Sequence, residues 1–366
     1  MSKVLHLRGL NGLRAIAAIA VVISHITLDL SSFGLIDTIV GADANGNAKG
    51  LLLASYGVSI FFALSGFLIT YLLLLEKEKT SINIKHFYIR RILRIWPLYY
   101  LYIIICLIVY YLFQINFEYS IVPFYILLAA NIPIIINNML PFLGHFWSIG
   151  VEEQFYLFWP WLARIDNKRL LRSSFGLVLF LIILKLFFWF INYKWHYSLP
   201  LTVLSVSRFH IMIIGAIGAI LYYNKSVVIK YCLNIKTQIF CWLIMILLAL
   251  NLFHISSLID NEILGIVTVM IILAQITRTN YIVNLDNKLF DFIGKISYGI
   301  YVIHPLIIFL SPMILGKFKD SSFVNYIYVY GFILLSTITI SYISYMFYEK
   351  KFIKLKGNFA KIKSAS

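Results

Sequence analysis

The stretch LLLASYGVSIFFALSGFLITYLLLL (residues 51–75) runs for 25 residues without a single Asp, Glu, Lys, Arg or His. A helix that crosses the hydrocarbon core of a bilayer needs about 20 consecutive, mostly apolar residues. A helix that is apolar on every face must be surrounded by apolar material, which is either a protein core or lipid. The stretch therefore predicts a helix long enough to span a membrane.

The composition of the whole chain supports the same interpretation. Of its 366 residues, 61% are hydrophobic and only 13% are charged, whereas a soluble domain contains about 25% charged residues. The net charge of +16 would indicate a nucleic-acid partner in a soluble protein. In a membrane protein it is typical of Lys and Arg retained on cytoplasmic loops. We therefore expect a multi-pass membrane protein that contacts lipid and binds no nucleic acid.

Apolar segments recur along the chain with short loops between them. This spacing predicts an all-α fold, a polytopic bundle of transmembrane helices in a single domain over residues 1–366. Its core is expected at 8–350 and a basic cytoplasmic tail at 351–366. The candidate spans are 9–28, 51–75, 96–115, 119–137, 144–163, 174–192, 203–223, 236–254, 259–277, 290–311 and 323–348.

The charge of the loops decides how many of these segments cross. The loops 76–95 and 164–172 are strongly basic and are both expected on the cytoplasmic side, with the N-terminal Lys3. They can share a side only if one of the segments 119–137 and 144–163 is re-entrant, interfacial or half-length. The sequence thus predicts about ten crossings, with both termini cytoplasmic.

Arg14 and His25 are ionisable residues inside the first span, where such groups are costly and usually serve a purpose. Eleven positions apart on a helix, they share one face and lie about 16 Å apart along its axis. The residues between them, AIAAIAVVIS (15–24), are small or aliphatic and leave room beside the helix. Arg14 is otherwise explained as a snorkelling anchor, and His25 as a polar contact between helices.

Three arginines precede Trp96 and Pro97 at spacings of three and four residues, so that all of them reach one place at a helix entry. They are Arg90, Arg91 and Arg94. Planar guanidinium groups bind phosphate through two hydrogen bonds at once. Retention of positive charge on the cytoplasmic side explains the same cluster without a ligand.

Glu152 and Glu153 are adjacent acids within an aromatic segment. Neighbours on a helix diverge by about 100°, so the two cannot share one role. A structural ion pair with an arginine of another span is the alternative to a chemical function.

Four more polar residues fall within spans, namely Lys185, Arg208, His210 and His304. Lys185 is assigned no chemistry. Arg208 and His210 precede a small-residue stretch that allows close helix packing. His304, which precedes Pro305, is interpreted as a satisfied structural site.

Together, motifs along almost the whole chain resemble one family, the acyltransferase-3 family of bacterial integral membrane acyltransferases. The matching stretches are NGLRAIAAIAVVISH (11–25), GVSIFFALSGFLIT (57–70), RRILRIWPLYY (90–100), HFWSIGVEEQFYLFWPWL (145–162), SRFHIMIIGAIGAIL (207–221), GKISYGIYVIHPLI (294–307) and FYEKKFIKLK (347–356). The family's motif of a basic residue, a ten-residue spacer and a histidine falls on Arg14 and His25. Its arginine pair falls on Arg91 and Arg94.

The resemblance implies an enzyme of the bacterial cytoplasmic membrane that modifies cell-envelope polysaccharide. It implies transfer of an acyl group, most often acetyl, from cytoplasmic acyl-CoA to a carbohydrate or lipid-linked sugar. His25 is then expected to act as general base or acyl carrier, with Glu152 fixing its tautomer. The phosphates of acyl-CoA are expected to bind Arg14, Arg90, Arg91 and Arg94. No metal is expected, and proteins of glycan assembly are potential partners.

Two other functions stay open at this point. A transporter or flippase of a lipid-linked sugar would also carry polar residues within many spans, although the chain shows no two-fold repeat. An acyl shuttle would hand the acyl group to a separate extracytoplasmic transferase. The chain ends soon after its last span, so we expect a stand-alone form without the esterase-like domain that many relatives carry.

Overall fold

The computed structural model describes residues 7–360 except 40, 43–45 and 47, together with residue 362. Lys3 and most of the expected tail beyond residue 360 lie outside the described residues. Within that part of the chain the secondary structure is helical, apart from one isolated bridge between Ala42 and Ala48. The predicted all-α class is therefore confirmed.

The described residues form fifteen α-helices. In chain order they are α1 (Leu10–Leu28), α2 (Leu52–Lys79), α3 (Ile84–Leu112), α4 (Val122–Ile126), α5 (Asn131–Ile135), α6 (Trp147–Leu162), α7 (Asn167–Trp195), α8 (Leu199–Ser207), α9 (Phe209–Tyr223), α10 (Val228–Cys232), α11 (Ile235–Ala249), α12 (Asp260–Thr277), α13 (Lys288–Leu315), α14 (Phe323–Ser344) and α15 (Lys350–Lys356). A π-helical turn, Tyr345–Glu349, joins α14 to α15.

Eight helical stretches of the described chain are long and apolar enough to cross a membrane. They are Leu10–Leu28, Leu52–Lys79, Ile84–Leu112, Asn167–Trp195, Leu199–Tyr223, Asp260–Thr277, Lys288–Leu315 and Phe323–Phe359. The shorter α6 and α11 have 16 and 15 residues. At 1.5 Å per residue they extend about 24 and 22 Å. Of the two, α11 is apolar, whereas α6 contains Glu152 and Glu153, so the count of ten crossings stays a prediction.

The segment 119–137 is interrupted, because its longest helices, α4 and α5, have five residues each. Leu128 and Asn137 adopt left-handed backbone conformations, with φ of 59° and 53°, which end the helical turns. The amides of Asn131 and Gln154 exchange hydrogen bonds of 3.1 and 2.7 Å, and these tie α5 to α6. One of the segments 119–137 and 144–163 is expected not to cross. The segment 144–163 contains the longer helix, α6, with 16 residues. The sidedness of the termini stays a prediction.

Side-chain caps define the residues at which α3 and α7 begin after the preceding loops. At the start of α3, the Asn83 side chain accepts a hydrogen bond of 3.0 Å from the His86 backbone N–H. At the start of α7, the Asp166 carboxylate accepts one of 2.9 Å from Lys168. Such caps satisfy N–H groups that have no partner within the helix. The cap at Asn83 sets Arg90, Arg91 and Arg94 within the first three turns of α3.

Helix α2 lies at the centre of the bundle and packs against α1, α9 and α12. Its crossing with α9 depends on glycine. A Cβ atom at Gly66 would lie 1.8 Å from the Met212 carbonyl oxygen, and one at Gly215 would lie 2.1 Å from that of Ala63. The close packing predicted for the small-residue stretch after His210 is therefore confirmed.

Helix α7 lies at the edge of the bundle, and only 11% of its most apolar window is buried. Lys185 is one of its few buried residues. Its Nζ lies 2.8 Å from Glu262 Oε1, and His210 Nε2 lies 3.0 Å from the same oxygen. An ion pair thus offsets the cost of a charge within the bilayer.

Candidate active site

Three cavities follow one another along α2. The first, the His25 cavity, has a volume of about 780 Å³ and extends along α2 as far as Val58. The second, the Arg14 cavity, has a volume of about 110 Å³ and extends from Val58 to Ile69. The third, the tail cavity, has a volume of about 420 Å³ and extends from Ile69 to Glu76. Positions 58 and 69 are about 16 Å apart on a helix. Neighbouring cavities share side chains, because Val58 and Tyr301 line the first two and Ile69 and Arg91 line the last two. The cavities therefore form a series through the bundle.

His25, which lines the His25 cavity, is paired with a second histidine. His25 lies in the last turn of α1, half-buried, and its Nδ1 is 2.7 Å from Nε2 of the fully buried His304. His304 Nδ1 lies 3.1 Å from the Ile300 carbonyl oxygen. A carbonyl oxygen only accepts hydrogen bonds, so His304 Nδ1 carries the hydrogen and, in the neutral ring, His304 Nε2 is the acceptor. His25 Nδ1–H is then the donor, and Nε2 of His25 keeps its lone pair.

A third histidine, His145, supports this pair. Its ring centroid is 5.2 Å from that of His304, and its Nε2–H donates to the Val302 carbonyl oxygen at 3.1 Å. The Tyr301 hydroxyl donates to the His145 carbonyl oxygen at 2.8 Å and lies 2.6 Å from Ser148 Oγ. These contacts fix the wall between the His25 and Arg14 cavities.

Several imidazole nitrogens around His25 already have hydrogen-bond partners. His304 Nδ1 and His145 Nε2 contact backbone carbonyl oxygens, and His25 Nδ1 contacts His304 Nε2. Among the described residues, no group of three or more His, Cys, Asp or Glu side chains is arranged to hold a metal ion.

Positive charge dominates the Arg14 cavity, which is lined by Arg14, Arg91, Arg94 and the carboxylate of Glu152. Arg14 donates to Asn11 Oδ1 at 3.0 Å. The guanidinium of Arg91 lies over the rings of Phe87 and Tyr156, and its buried Nε has no hydrogen-bond partner. An anionic or strongly polar ligand would complement these groups.

The structure separates Arg90 from the other predicted arginines. Arg90 lines the tail cavity, where it pairs with Glu76 at 2.9 Å and donates to the Phe359 carbonyl oxygen at 2.8 Å. Arg91 lines both the tail cavity and the Arg14 cavity. Three of the four predicted arginines therefore share one site, and the fourth lies in the adjoining cavity.

The expected contact of Glu152 with His25 is wrong, because His304 occupies Nδ1 of His25. Glu152 instead lines the Arg14 cavity beside the hydroxyls of Ser65 and Tyr156. The reason is its position along α6. It lies seven positions after His145, which is about 10 Å along a helix. Glu153 points elsewhere, as predicted, and accepts from Trp96 Nε1 at 3.3 Å.

Sequence reasoning missed the roles of His304, His145 and Tyr301. A usable signal was present in residues 297–304, since Tyr301 and His304 are three positions apart and so share a helix face. Nothing in the sequence indicates that this face meets His25, which lies 279 positions away.

Comparison with known proteins gives a consistent result. A Staphylococcus aureus (strain COL) protein, SACOL0978, provisionally named an O-acetyltransferase, is 27% identical over 96% of this chain and 58% of its own length. The peptidoglycan O-acetyltransferase OatA of Listeria monocytogenes serovar 1/2a is 32% identical over 44% of this chain and 26% of its own length. ORF330 of Acidianus two-tailed virus, provisionally named an acetyltransferase, is 29% identical over 68% of this chain and 72% of its own length.

The chain thus spans a little under three fifths of the length of its staphylococcal relative. No solved structure shows significant similarity to it. The family model described as an acyltransferase domain matches residues 7–346. Because that match covers almost the whole chain, the protein belongs to the acyltransferase-3 family, as the motifs around Arg14, His25, Arg91 and Arg94 indicated.

Proposed function

We propose that this chain is a membrane-embedded acetyltransferase that moves an acetyl group from acyl-CoA to a hydroxyl of a surface glycan or lipid-linked sugar. The observation that carries the proposal is the series of cavities, which joins cationic sites to the free Nε2 of His25. The names of its relatives support O-acetylation, and one of them acts on peptidoglycan by name. The bacterial cytoplasmic membrane is the location that this function requires.

The donor end of the path is suited to acyl-CoA. Its phosphates need fixed positive charge, which Arg91 and Arg94 supply with Arg14. The pantetheine arm is a thin chain. Arg14 and His25 are about 16 Å apart along α1, and this distance is close to the length of the arm. A donor held in this way brings its thioester towards the His25 cavity. Glu152 is then available to orient the polar groups of the donor.

Two routes of acyl transfer are consistent with the tautomer of His25. In the first, Nε2 takes the proton of the sugar hydroxyl while that oxygen attacks the thioester carbonyl, the C–S bond breaks, and the CoA sulfur takes the proton. In the second, Nε2 attacks the carbonyl, the C–S bond breaks and the thiolate leaves. The sugar hydroxyl oxygen then takes the acyl group from the imidazole, which is released, and the hydroxyl proton passes to the CoA thiolate. In both routes His304 holds the ring so that Nε2 faces the cavity.

The test is turnover by purified protein in lipid nanodiscs, with acetyl-CoA consumption and acetylated acceptor measured together. His25→Ala should keep donor binding and lose roughly 10²-fold or more in turnover, because a positioned base contributes at least that much. If an acyl-imidazole forms, the same variant should also lose donor hydrolysis in the absence of acceptor.

His254→Ala is the matched control, because this exposed histidine lies outside all three cavities. Near-native turnover by His25→Ala would overturn the mechanism. Wild-type protein that consumes no acetyl-CoA would favour the transporter.

A further inference from the structure

The tail cavity contains more positive charge than its own acidic group can balance. It is lined by Arg90, Arg91, Lys350, Lys354 and Lys356. Glu76 is the carboxylate among its lining residues, and it is already paired with Arg90 at 2.9 Å. Like charges held close together are costly unless a counter-charge joins them. The cavity is therefore built for an anion with several charges.

The lysines follow residue 346, at which the match to the family model ends, although the stretch 347–356 resembles the family in sequence. The segment is nevertheless held in place. Helix α15 packs against α3, Arg90 donates to the Phe359 carbonyl oxygen at 2.8 Å, and the Phe359 ring lies 5.5 Å from that of His86. The chain after α14 thus forms one wall of the cavity.

Attraction to the membrane surface does not account for this arrangement. A basic tail that only meets lipid headgroups would present its lysines outwards, as Lys351 does. Lys350 and Lys356 are half-buried, and together with the more exposed Lys354 they line a cavity of about 420 Å³. Because Arg91 and Ile69 also line the Arg14 cavity, an anion bound here lies at the start of the path to His25.

We propose that Lys350, Lys354 and Lys356 bind the 3′-phosphate at the nucleotide end of acyl-CoA, beyond the diphosphate assigned above to Arg14, Arg91 and Arg94, so that the C-terminal segment is part of the donor site. The proposal rests on acyl-CoA being the donor. The 3′-phosphate of this nucleotide carries more than one negative charge and matches a cavity with several unbalanced cations. Ammonium groups suit this task, because each is a compact charge with three donors on a flexible stem.

The test compares three probes in full-length protein in phosphatidylcholine nanodiscs, namely CoA, CoA without its 3′-phosphate, and 4′-phosphopantetheine. In the double variant Lys354→Gln/Lys356→Gln, CoA affinity should fall about tenfold or more, since hydrogen bonds to charged groups are lost. The loss should be smaller for CoA that lacks the 3′-phosphate, and absent for 4′-phosphopantetheine. Lys351→Gln, on the exposed side of α15, should leave all three affinities unchanged.

The outcomes separate this proposal from the proposed function. Wild-type protein that binds none of the probes would remove acyl-CoA as the donor. If the wild-type protein and the double variant bind CoA with equal affinity, the C-terminal segment is not part of the donor site, and acyl-CoA remains the proposed donor. The cavity would be a lipid site if phosphatidylglycerol binding falls in the double variant while CoA binding does not. Unchanged 4′-phosphopantetheine affinity shows that the variant is folded.

Discussion

At the scale of single residues, the direction of one hydrogen bond decides the chemistry of the site. The Ile300 carbonyl oxygen fixes the hydrogen on His304 Nδ1, and this makes His304 Nε2 the acceptor from His25. A neutral imidazole carries one hydrogen, so Nε2 of His25 is left basic. In the proposed mechanism His304 is therefore a positioning residue, which acts through His25.

Replacing His304 should test this arrangement. In His304→Ala, kcat should fall at least about tenfold, a part of the roughly 10²–10⁴-fold contribution of a positioned base. The donor KM should stay near its native value, because the donor phosphates lie in other cavities. His304→Gln should recover part of kcat, since its amide oxygen can accept from His25 Nδ1–H. Steady-state kinetics in nanodiscs would measure both constants, and equal losses in the two variants would contradict the positioning role.

The sequence indicated part of this site, for a definable reason. Arg14 and His25 are on one helix, so helical geometry alone relates them. His304 contacts His25 across 279 positions, and helical periodicity does not specify which helix faces meet. The ionisable residues within the spans could therefore be found, but most of their pairings could not.

At the scale of helices, α2 determines the site, because all three cavities border it. The position of α2 depends on glycines at its contact with α9, where a larger residue would not fit. Gly66→Ala would place a Cβ atom 1.8 Å from the Met212 carbonyl oxygen, so α2 and α9 would have to separate. We expect a loss of stability of about 1–3 kcal/mol, as for overpacked cores, and a loss of donor binding with it.

Gly331→Ala in α14 is the matched control, since a Cβ atom there meets nothing within 4 Å. Thermal unfolding of both variants in detergent would show the difference. A Gly66→Ala variant as stable as Gly331→Ala would mean that the helices adjust to the added atom without cost.

The break between α8 and α9 is a helix boundary that the apolar pattern of the sequence does not predict. The apolar segment 203–223 predicts one continuous helix, but the structure divides it between α8 and α9 at Arg208, whose φ is 45°. The Arg208 guanidinium donates to the Ser55 carbonyl oxygen and to Ser59 Oγ, both at 3.2 Å, and lies over the Trp147 ring. Contacts with other helices thus break a helix that its own sequence would continue.

At the scale of the whole molecule, loop charge predicts about ten crossings, and the described chain has eight helical stretches that are long and apolar enough to cross. Ten crossings require that α6 and α11 cross as well. The arrangement implies one net crossing between Asn116 and Lys168. Single cysteines at these exposed positions, in a chain without Cys106, Cys232 and Cys241, should react with membrane-impermeant reagents from opposite sides. Labelling of both from the same side would exclude this topology.

The wall between the His25 and Arg14 cavities also has an electrical consequence. An open aqueous pore along this series would let protons flow down their gradient and dissipate about 2.3 kcal/mol per charge for each 100 mV. Val58 and Tyr301 line both cavities, and hydrogen bonds to Ser148 and the His145 carbonyl hold the tyrosine there. A hydrated ion would have to shed its water to pass them, whereas an acyl chain has none to lose. In the proposed function, an acetyl group would therefore reach His25 without an aqueous path that discharges the membrane.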